Sequence, residues 1–459
     1  MYFLLLSTQA LKNSGTQALF KGGSMKRRGF IAGLAVPALA LTATGQAGAV
    51  SENRKNEMIA ASKVNSMSIK GIGNKTLQEL RDFHQKELNE EYIALWLKSG
   101  IDWQYGGSFP EANPEGDPKK STDKEMYYQG RALWVFSYIY NHFGKDERFL
   151  KAARLTRDFV VKNCREGKYW ISRFTRDGKK IEGSFNIYGD MYMVLGLMEL
   201  FKATGEKENR DIAVESAYGV MERIVSPVYQ HLSGHGGCHE PGTKRLGTWQ
   251  HFLSALTPLL RYTYDDGVDM IARMCVRNIL ERHYHPEYGV AFEHLDDLFQ
   301  PFKPDPQDGH RAISGWHSIQ AAWMCMDEAL RRNHTRMFLD AMEMGRMTME
   351  KCWIDGKKFS GLVSRSNPED PPQEPADING IATGALDDAL IFCLMAIEHT
   401  HETWAMTWYD KVFTTGYKNP ERWRQRCLLH HPRRLFLSIQ ILDNMIARGG
   451  KVSDFLDKA

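Results

Sequence analysis

The chain has 459 residues, of which 42% are hydrophobic and 25% are charged. This balance supports a large apolar core and excludes a disordered chain. The 59 Lys and Arg residues against 56 Asp and Glu residues leave a net charge of +3. No basic run occurs outside the N-terminus, so the chain has no electrostatic footprint for nucleic acid, and a small neutral ligand fits better.

The first element along the chain is a predicted export signal. Residues 26–49 read KRRGFIAGLAVPALALTATGQAGA: paired arginines, a short apolar stretch interrupted by Pro37, and a small-residue end. The pattern resembles a twin-arginine signal, which implies a periplasmic or extracellular protein. The apolar stretch is too short to cross a bilayer, so no stable membrane span is expected, although an uncleaved anchor is the alternative. Residues 1–24 lie upstream of the signal, and we expect translation to start at Met25.

From residue 75 onward, apolar residues recur with the helical period in about twelve segments. Amphipathic segments such as DERFLKAARLTRDFVVKNC alternate with segments that are apolar all round, such as GRALWVFSYIYNHFG. A helix without a polar face must be covered on all sides. The alternation therefore predicts an all-α fold, an (α/α)6 barrel of six helical hairpins in which the apolar helices form the inner ring.

The repeat length supports a single barrel domain. The inner segments recur about every sixty residues, which is one hairpin with its connections. Tandem domains are the alternative, but no long Gly/Ser-rich or Pro-rich linker divides the chain. Short strand-like pieces such as KYWISRFTRDGKKIEG predict β-hairpins on one rim. We therefore expect an extension with its signal at residues 1–49, a flexible segment at 50–74, and the barrel at 75–459.

Cysteine and histidine spacing predicts neither disulfides nor a metal site. The seven cysteines are odd in number and widely spaced, which indicates buried free thiols. The run from His231 to Glu240, which includes Cys238, groups potential metal ligands, but its glycines suit a plain rim loop and no second ligand pair follows. No cofactor is expected either, because no glycine-rich phosphate or dinucleotide loop occurs between a strand and a helix.

Each inner segment carries a polar residue close to its start. These residues are Arg131, Tyr188, His251, His317, the pair Asp387 and Asp388, and His430 before Pro432. All inner helices of such a barrel begin at the same mouth, so these groups should converge. Histidines at helix N-termini tend to stay neutral and can act as bases. Two such bases beside an arginine suit proton transfer next to a carbonyl, through an enediolate that the arginine stabilises.

These residues resemble the N-acylglucosamine 2-epimerase and cellobiose 2-epimerase family of sugar epimerases and isomerases. The motifs that carry the resemblance are Gly106-Gly107, Gln129-Gly130-Arg131, Ile187-Tyr188-Gly189-Asp190, Gln250-His251, His317 with Gln320 and Trp323, and His430-His431-Pro432-Arg433. Together they run over roughly residues 75–448. The resemblance implies the same barrel and an isomerase that acts on a free reducing sugar, with an epimer or a ketose as product.

The resemblance also implies roles for individual residues. Arg131 would stabilise the oxyanion, and His317 and His430 would be the acid/base pair. The remaining pocket positions are Tyr188, Asp190, His251, Glu293, Gln320, Trp323 and Asp388. Gln320 departs from the family, which has Glu there, so a carboxylate that orients the histidine is replaced by an amide that cannot carry a proton. We expect His317 to work more weakly, or only as a hydrogen-bond donor.

Two other functions stay open at this point. A glycoside or unsaturated-uronide hydrolase on the same barrel would use Asp190, Glu293 or Asp388 as acid and base, and needs two opposed carboxylates. A non-catalytic carbohydrate-binding protein is the second alternative, supported by Gln320 and by the lack, in residues 379–384, of the tryptophans that stack on sugar in the family. If these residues have no functional role, the histidines are hydrogen-bonded core residues and Arg131 is a buried ion-pair partner.

Overall fold

Twelve α-helices account for most of the described chain in a computed structural model of the protein. The structure describes residues 55–57, 68–109, 122–229, 231–233, 237–239, 242–303, 311–375, 383–418 and 429–458. The predicted export signal at residues 26–49 lies outside the described residues. In the segment predicted to be flexible, Gly71–Ile72 pairs with Lys75–Thr76 in a short hairpin.

The odd-numbered helices form the outer layer. They are α1 (Leu77–Glu87), α3 (Glu147–Asn163), α5 (Lys207–Val225), α7 (Asp266–Arg277), α9 (Thr335–Cys352) and α11 (Thr403–Tyr417). Short π-helical stretches, Leu88–Ile93, Trp96–Gly100 and Asn278–His283, follow α1 and α7. In α7, Val268, Ile271 and Cys275 are buried on one face while Met270 is 40% exposed. This one-sided burial is what the amphipathic pattern predicts.

The even-numbered helices form the inner ring. They are α2 (Met126–His142), α4 (Ile187–Thr204), α6 (Leu246–Tyr262), α8 (Gly315–Arg332), α10 (Thr383–His399) and α12 (His430–Ala447). Every residue of α4 from Ile187 to Leu200 is buried, as a helix without a polar face requires.

Consecutive inner helices pack side by side in chain order, from α2 to α12. The ring closes between the last and the first of them, where the Tyr138 hydroxyl donates to Gln440 Oε1 at 2.6 Å. The Trp134 and Phe436 rings meet across the same seam, with centroids 5.8 Å apart. The predicted all-α (α/α)6 barrel is therefore confirmed.

Short strands pair into small antiparallel sheets. They are β1 (Gly71–Ile72), β2 (Lys75–Thr76), β3 (Lys124–Glu125), β4 (Arg165–Glu166), β5 (Tyr169–Trp170), β6 (Arg173–Phe174), β7 (Lys180–Glu182), β8 (His231–Ser233), β9 (Gly237–His239), β10 (Thr243–Arg245), β11 (Tyr284–His285), β12 (Val290–Ala291), β13 (His294–Asp296), β14 (Ile313–Ser314), β15 (Trp353–Asp355), β16 (Ser360–Leu362) and β17 (Ser364–Arg365). Strands β3, β10 and β14 run directly into α2, α6 and α8, so they decorate the mouth where the inner helices begin.

Five cysteines, Cys164, Cys275, Cys325, Cys352 and Cys393, are buried free thiols, as predicted. The side chains of Cys238, Cys427 and the run from His231 to Glu240 lie outside the described residues. Within the described ranges, no group of histidines, cysteines and carboxylates is arranged to hold a metal ion. In the same ranges, no helix combines the length and the apolar character that crossing a bilayer requires.

Candidate active site

A ring of polar side chains lies at one depth inside the barrel. Five of the six inner helices carry a polar residue at their sixth position: Arg131 in α2, Tyr192 in α4, His251 in α6, Gln320 in α8 and Asp388 in α10. His317 and His430 stand nearer the mouth, at the third and first positions of α8 and α12. The helix starts therefore bring together the groups that the sequence predicts to converge.

Aromatic contacts connect the histidines of this ring. The His251 and His317 rings lie edge to face with centroids 6.1 Å apart. The Trp316 ring lies 6.0 Å from His317 and 5.0 Å from His430. The three histidines thus line one continuous surface, with the Trp316 indole between the two predicted acid/base residues.

His317 is held by a carboxylate from the rim. Its Nδ1 lies 2.9 and 2.8 Å from the two carboxylate oxygens of Glu293. The Glu293 main chain is itself fixed, because its N–H donates to Ala312 and its carbonyl accepts from Leu246, both at 2.9 Å. Since a carboxylate accepts hydrogen bonds, Nδ1 carries the proton and Nε2 is the ring nitrogen left to take or give one.

Arg245, at the end of β10, completes this group. Its Nε donates to Glu293 Oε1 at 2.6 Å. Burial by itself would raise the pKa of Glu293, but the charges of His317 and Arg245 hold that pKa well below its usual range. Glu293 therefore stays an anion and a permanent acceptor for His317.

Asp388 is the centre of a second buried group. Its Oδ1 accepts from Trp323 Nε1 at 2.9 Å and from Arg433 Nη2 at 2.7 Å. Its Oδ2 accepts from Trp316 Nε1 at 2.8 Å and from Gln320 Nε2 at 3.0 Å. Burial opposes ionisation, yet Arg433 and the donors lower the pKa of Asp388. A charged carboxylate is thus fixed at the depth of Arg131 and His251 and positions the residues around it.

The contacts of Gln320 change the expectation for His317. Gln320 donates to Asp388 and accepts from Gln250 Nε2 at 2.7 Å. The prediction that this amide deprives His317 of an orienting carboxylate is wrong, because Glu293 supplies one from the rim. Sequence reasoning looked for the carboxylate one helical turn along α8, whereas it comes from the segment before β13.

His430 and His251 are kept neutral by their surroundings. Burial lowers the pKa of His430 to about 4, the nearby Asp388 opposes this, and Arg131 and Arg433 reinforce it. Its Nδ1 lies 3.7 Å from Asp388 Oδ2, which is longer than a hydrogen bond. Burial, with the charges of His317 and Arg131, also holds the pKa of His251 well below its usual range. His251 Nδ1 donates to the Gly247 carbonyl at 2.7 Å, which leaves Nε2 as an acceptor.

Arg131 is held between two tyrosines. Its guanidinium carbon lies 3.8 Å from the Tyr127 ring centroid and 4.5 Å from that of Tyr192. It donates to the hydroxyls of both, at 2.9 Å for Tyr192. Because the Tyr192 ring lies 6.0 Å from that of His251, the guanidinium belongs to the same site as the histidines.

Two residues of the IYGD motif point in different directions. Tyr188 stays at the site, with its ring 5.1 Å from His251 and its hydroxyl 3.3 Å from Thr248 Oγ1. Asp190 instead pairs with Arg223 of the outer helix α5. Residues two apart lie on nearly opposite faces of a helix, so Tyr188 and Asp190 cannot both face the barrel axis.

Sequence reasoning missed Tyr192, Arg245 and Arg433. Tyr192 could have been found, because it lies one turn after Tyr188 and at the same offset as Arg131 and His251. Arg433 stands inside the C-terminal motif that was recognised for its histidine. Arg245 gives no local signal, since its partner is a rim residue far along the chain.

Fold and side chains together define an (α/α)6-barrel protein whose mouth is equipped for acid/base chemistry. The chain belongs to the N-acylglucosamine 2-epimerase (GlcNAc 2-epimerase) family, whose model matches residues 107–422.

Relatives and a solved structure agree with this assignment. The cellobiose 2-epimerase of Dictyoglomus turgidum is 26% identical over 299 residues, which cover 61% of this chain and 73% of that protein. The human N-acylglucosamine 2-epimerase is 30% identical over 271 residues, or 56% of this chain. The match spans only 60% of the human protein, less than two thirds of its length. The structure of cellobiose 2-epimerase from Bacillus thermoamylovorans superposes with a TM-score of 0.65 at 14% identity, and covers 79% of this chain and 99% of that one.

Proposed function

We propose that this protein is an isomerase that epimerises a free reducing sugar at C2, or converts it to the ketose, by histidine-mediated proton transfer. The observation that carries the proposal is the grouping of His317, His430 and Arg131 at one mouth of the barrel. The relatives named above are sugar 2-epimerases, which supports the same chemistry here. The ligand that fits is a small neutral carbohydrate.

The first step requires a base beside C2 of the open-chain aldose. A neutral imidazole takes the C2 proton, and the electron pair moves through C1 to the carbonyl oxygen, which becomes an oxyanion. His430 suits this step because burial keeps it unprotonated at neutral pH. The guanidinium of Arg131, preorganised by Tyr127 and Tyr192, stabilises the enediolate.

The second step requires a proton from the opposite side. His317 supplies it from Nε2 as the doubly protonated imidazolium, while the bond from Nδ1 to Glu293 fixes the ring orientation. Delivery to C2 on the face opposite to His430 inverts that centre and gives the epimer, whereas delivery to C1, with transfer of the O2 proton to O1, gives the ketose. His251 Nε2 and the Tyr188 hydroxyl can hold the sugar hydroxyls.

The carboxylates do not support the hydrolase alternative. A glycoside hydrolase needs one carboxyl group that stays protonated as the acid. Charged partners lower the pKa of both Glu293 and Asp388, so neither is suited to that role. Burial raises the pKa of Asp190 to about 7, but this group bonds Arg223 of the outer helix. The non-catalytic alternative loses the support that it drew from Gln320, because Glu293 supplies His317 with a carboxylate.

The test is proton exchange with solvent. The purified protein is incubated in D₂O with a panel of reducing sugars, and deuterium at C2 is followed together with product identity. We expect exchange with at least one sugar, abolished by His317→Ala and by His430→Ala. His285→Ala is the matched control, because this rim histidine also pairs with a glutamate, Glu287, at 2.9 Å. Full exchange in both site variants would rule out the proposed acid/base pair.

We also propose that residues 26–49 direct export, on the basis of the sequence pattern alone. Replacing both arginines of the pair, Arg27→Lys and Arg28→Lys, should retain the precursor in the cytoplasm when the full chain is expressed in a bacterium with twin-arginine transport. The mass of the secreted form would locate the cleavage site. Secretion at the normal rate from the double variant would contradict a twin-arginine route.

A further inference from the structure

A large cavity lies at the other mouth of the barrel, away from His251, His317 and His430. It has a volume of about 410 Å³ and is lined by residues of all six inner helices, most of them from the second halves of those helices. Among its lining residues, Trp134, Trp323 and Arg433 stand nearest the starts of α2, α8 and α12. Its outer end carries Tyr262, which is 43% exposed, so the cavity opens to solvent where the inner helices end.

The walls of this cavity are mainly apolar. They include the side chains of Tyr138, Leu195, Met324, Met395 and Leu437. Two indoles and two phenol rings border the same space, which favours a ligand with a flat ring.

The charged residues of the cavity are neutralised within the protein. Arg261 Nη2 lies 2.5 Å from Asp327 Oδ1, and Lys202 Nζ lies 3.7 Å from Glu199 Oε1. Arg433 pairs with Asp388. A charged ligand would have to compete with these pairs, so the cavity selects for a neutral one.

The size of the cavity sets the size of the ligand. Apolar cavities of about 150 Å³ hold a single benzene ring, and small-molecule pockets start at about 300 Å³. At about 410 Å³ the cavity can accommodate two fused rings.

The floor of the cavity is also the support of the candidate active site. Trp323 and Arg433 line the cavity and both donate to Asp388 Oδ1. Asp388 in turn faces His430 Nδ1 at 3.7 Å. A molecule that displaces either donor would therefore alter the surroundings of a predicted acid/base residue.

We propose that this cavity binds a small neutral molecule with a flat bicyclic ring system, and that occupancy changes turnover at the opposite mouth through Trp323 and Arg433. The binding part of the proposal is independent of the reaction, whereas the effect on turnover rests on the proposed function. Indole is a suitable probe, because it is neutral, flat and bicyclic.

Binding of indole to the full-length protein is measured by isothermal titration calorimetry, with circular dichroism as a check of folding. We expect a dissociation constant in the millimolar range or tighter, weakened at least tenfold by Leu195→Trp and by Ser254→Leu, which fill the cavity from α4 and α6. If one of these variants fails to fold, the other decides. His317→Ala, at the opposite mouth, should bind indole like the unchanged protein.

Turnover is measured at saturating indole. We expect kcat to change at least twofold while the sugar does not displace indole. The proposed binding site would be contradicted if indole does not bind, or if the folded cavity variants bind it as well as the unchanged protein does. Loss of binding in His317→Ala would also contradict it. If indole only competes with the sugar, or has no effect on turnover, the proposed coupling between the cavity and the candidate active site is wrong. If the protein turns over no sugar, the proposed function fails, while the calorimetric test of the cavity still stands.

Discussion

His317 and Glu293 form the best-defined pair in the candidate site, with Nδ1 of the imidazole within 2.9 Å of both carboxylate oxygens. The pair joins the start of an inner helix to a rim segment. It makes His317 an oriented, single-tautomer group, which distinguishes it from a histidine that merely fills the core.

Glu293→Gln tests the orienting role of this carboxylate. The amide can present its NH₂ to Nδ1 and so favour the wrong tautomer, and we expect kcat to fall by about 10²-fold or more with little change in KM. Glu287→Gln, which alters the exposed pair with His285, should leave kcat unchanged. The prediction fails if both variants behave alike in steady-state kinetics and in C2 exchange.

Arg131→Lys tests the oxyanion role. Lysine keeps the charge but loses the planar group that lies against the Tyr127 and Tyr192 rings. We expect kcat/KM to fall by about 10²- to 10³-fold, as for loss of an oxyanion donor. Arg173→Lys, at a partly exposed rim arginine, is the control. A purely structural arginine would instead show a lower melting temperature with near-normal C2 exchange per folded molecule.

Gln320→Glu restores the residue that the family resemblance implies, yet it should impair this protein. The new carboxylate would lie about 3 Å from Asp388 Oδ2, where Gln320 now donates a hydrogen bond. Two carboxylates at that distance cannot both stay ionised, so we expect a lower melting temperature and a lower kcat at pH 7. Gln250→Glu, at the residue that donates a separate hydrogen bond to Gln320 Oε1, provides a comparison. Increased activity in Gln320→Glu would show that Glu293 does not replace the missing carboxylate.

Asp190→Asn separates the two interpretations of the IYGD motif. Because Asp190 pairs with Arg223 of the outer helix, the substitution weakens the anchoring of α4 on α5. We expect a lower free energy of unfolding in urea and an unchanged KM for the sugar. A raised KM with unchanged stability would return Asp190 to the substrate pocket.

The pH dependence of kcat/KM should report the buried histidines. The pKa of His430 is lowered to about 4, and only its neutral form accepts a proton. Activity should therefore persist below pH 6 and fall as the pH drops through about 4, whereas an exposed histidine would lose activity near 6.5. An acid limb near 6.5 in the free enzyme would contradict His430 as the buried base.

The free energy of unfolding should also decrease as the pH becomes more acidic. The pKa values of His283 and His430 are lowered to about 4 and that of His399 to about 3. Between these values and about 6.5 the unfolded chain binds more protons than the folded one. The free energy of unfolding should thus decrease as the pH falls from 6.5 toward 4, which urea titrations at pH 7.5 and 4.5 would measure.

The amino-acid sequence by itself determines the barrel and the convergence of its polar residues. Apolar periodicity is a local property, and a helix that is apolar all round has to be covered whatever its neighbours are. Because the inner helices start at one mouth, equal offsets from those starts place Arg131, His251 and Asp388 at one depth. His317 and His430 lie even closer to the starts of their helices, so the sequence also places them at this mouth.

The tertiary structure alone decides which groups pair across this ring. Glu293 reaches His317 from a rim segment, Arg245 joins it from another, and Gln320 turns to Asp388 rather than to the histidine. These partners lie tens of residues apart, and loop geometry brings them within hydrogen-bond distance. The rate of proton transfer is sensitive to differences of a few tenths of an ångström in the distance between donor and acceptor. Such distances follow from the packing of the rim on the barrel, which no local pattern in the sequence encodes.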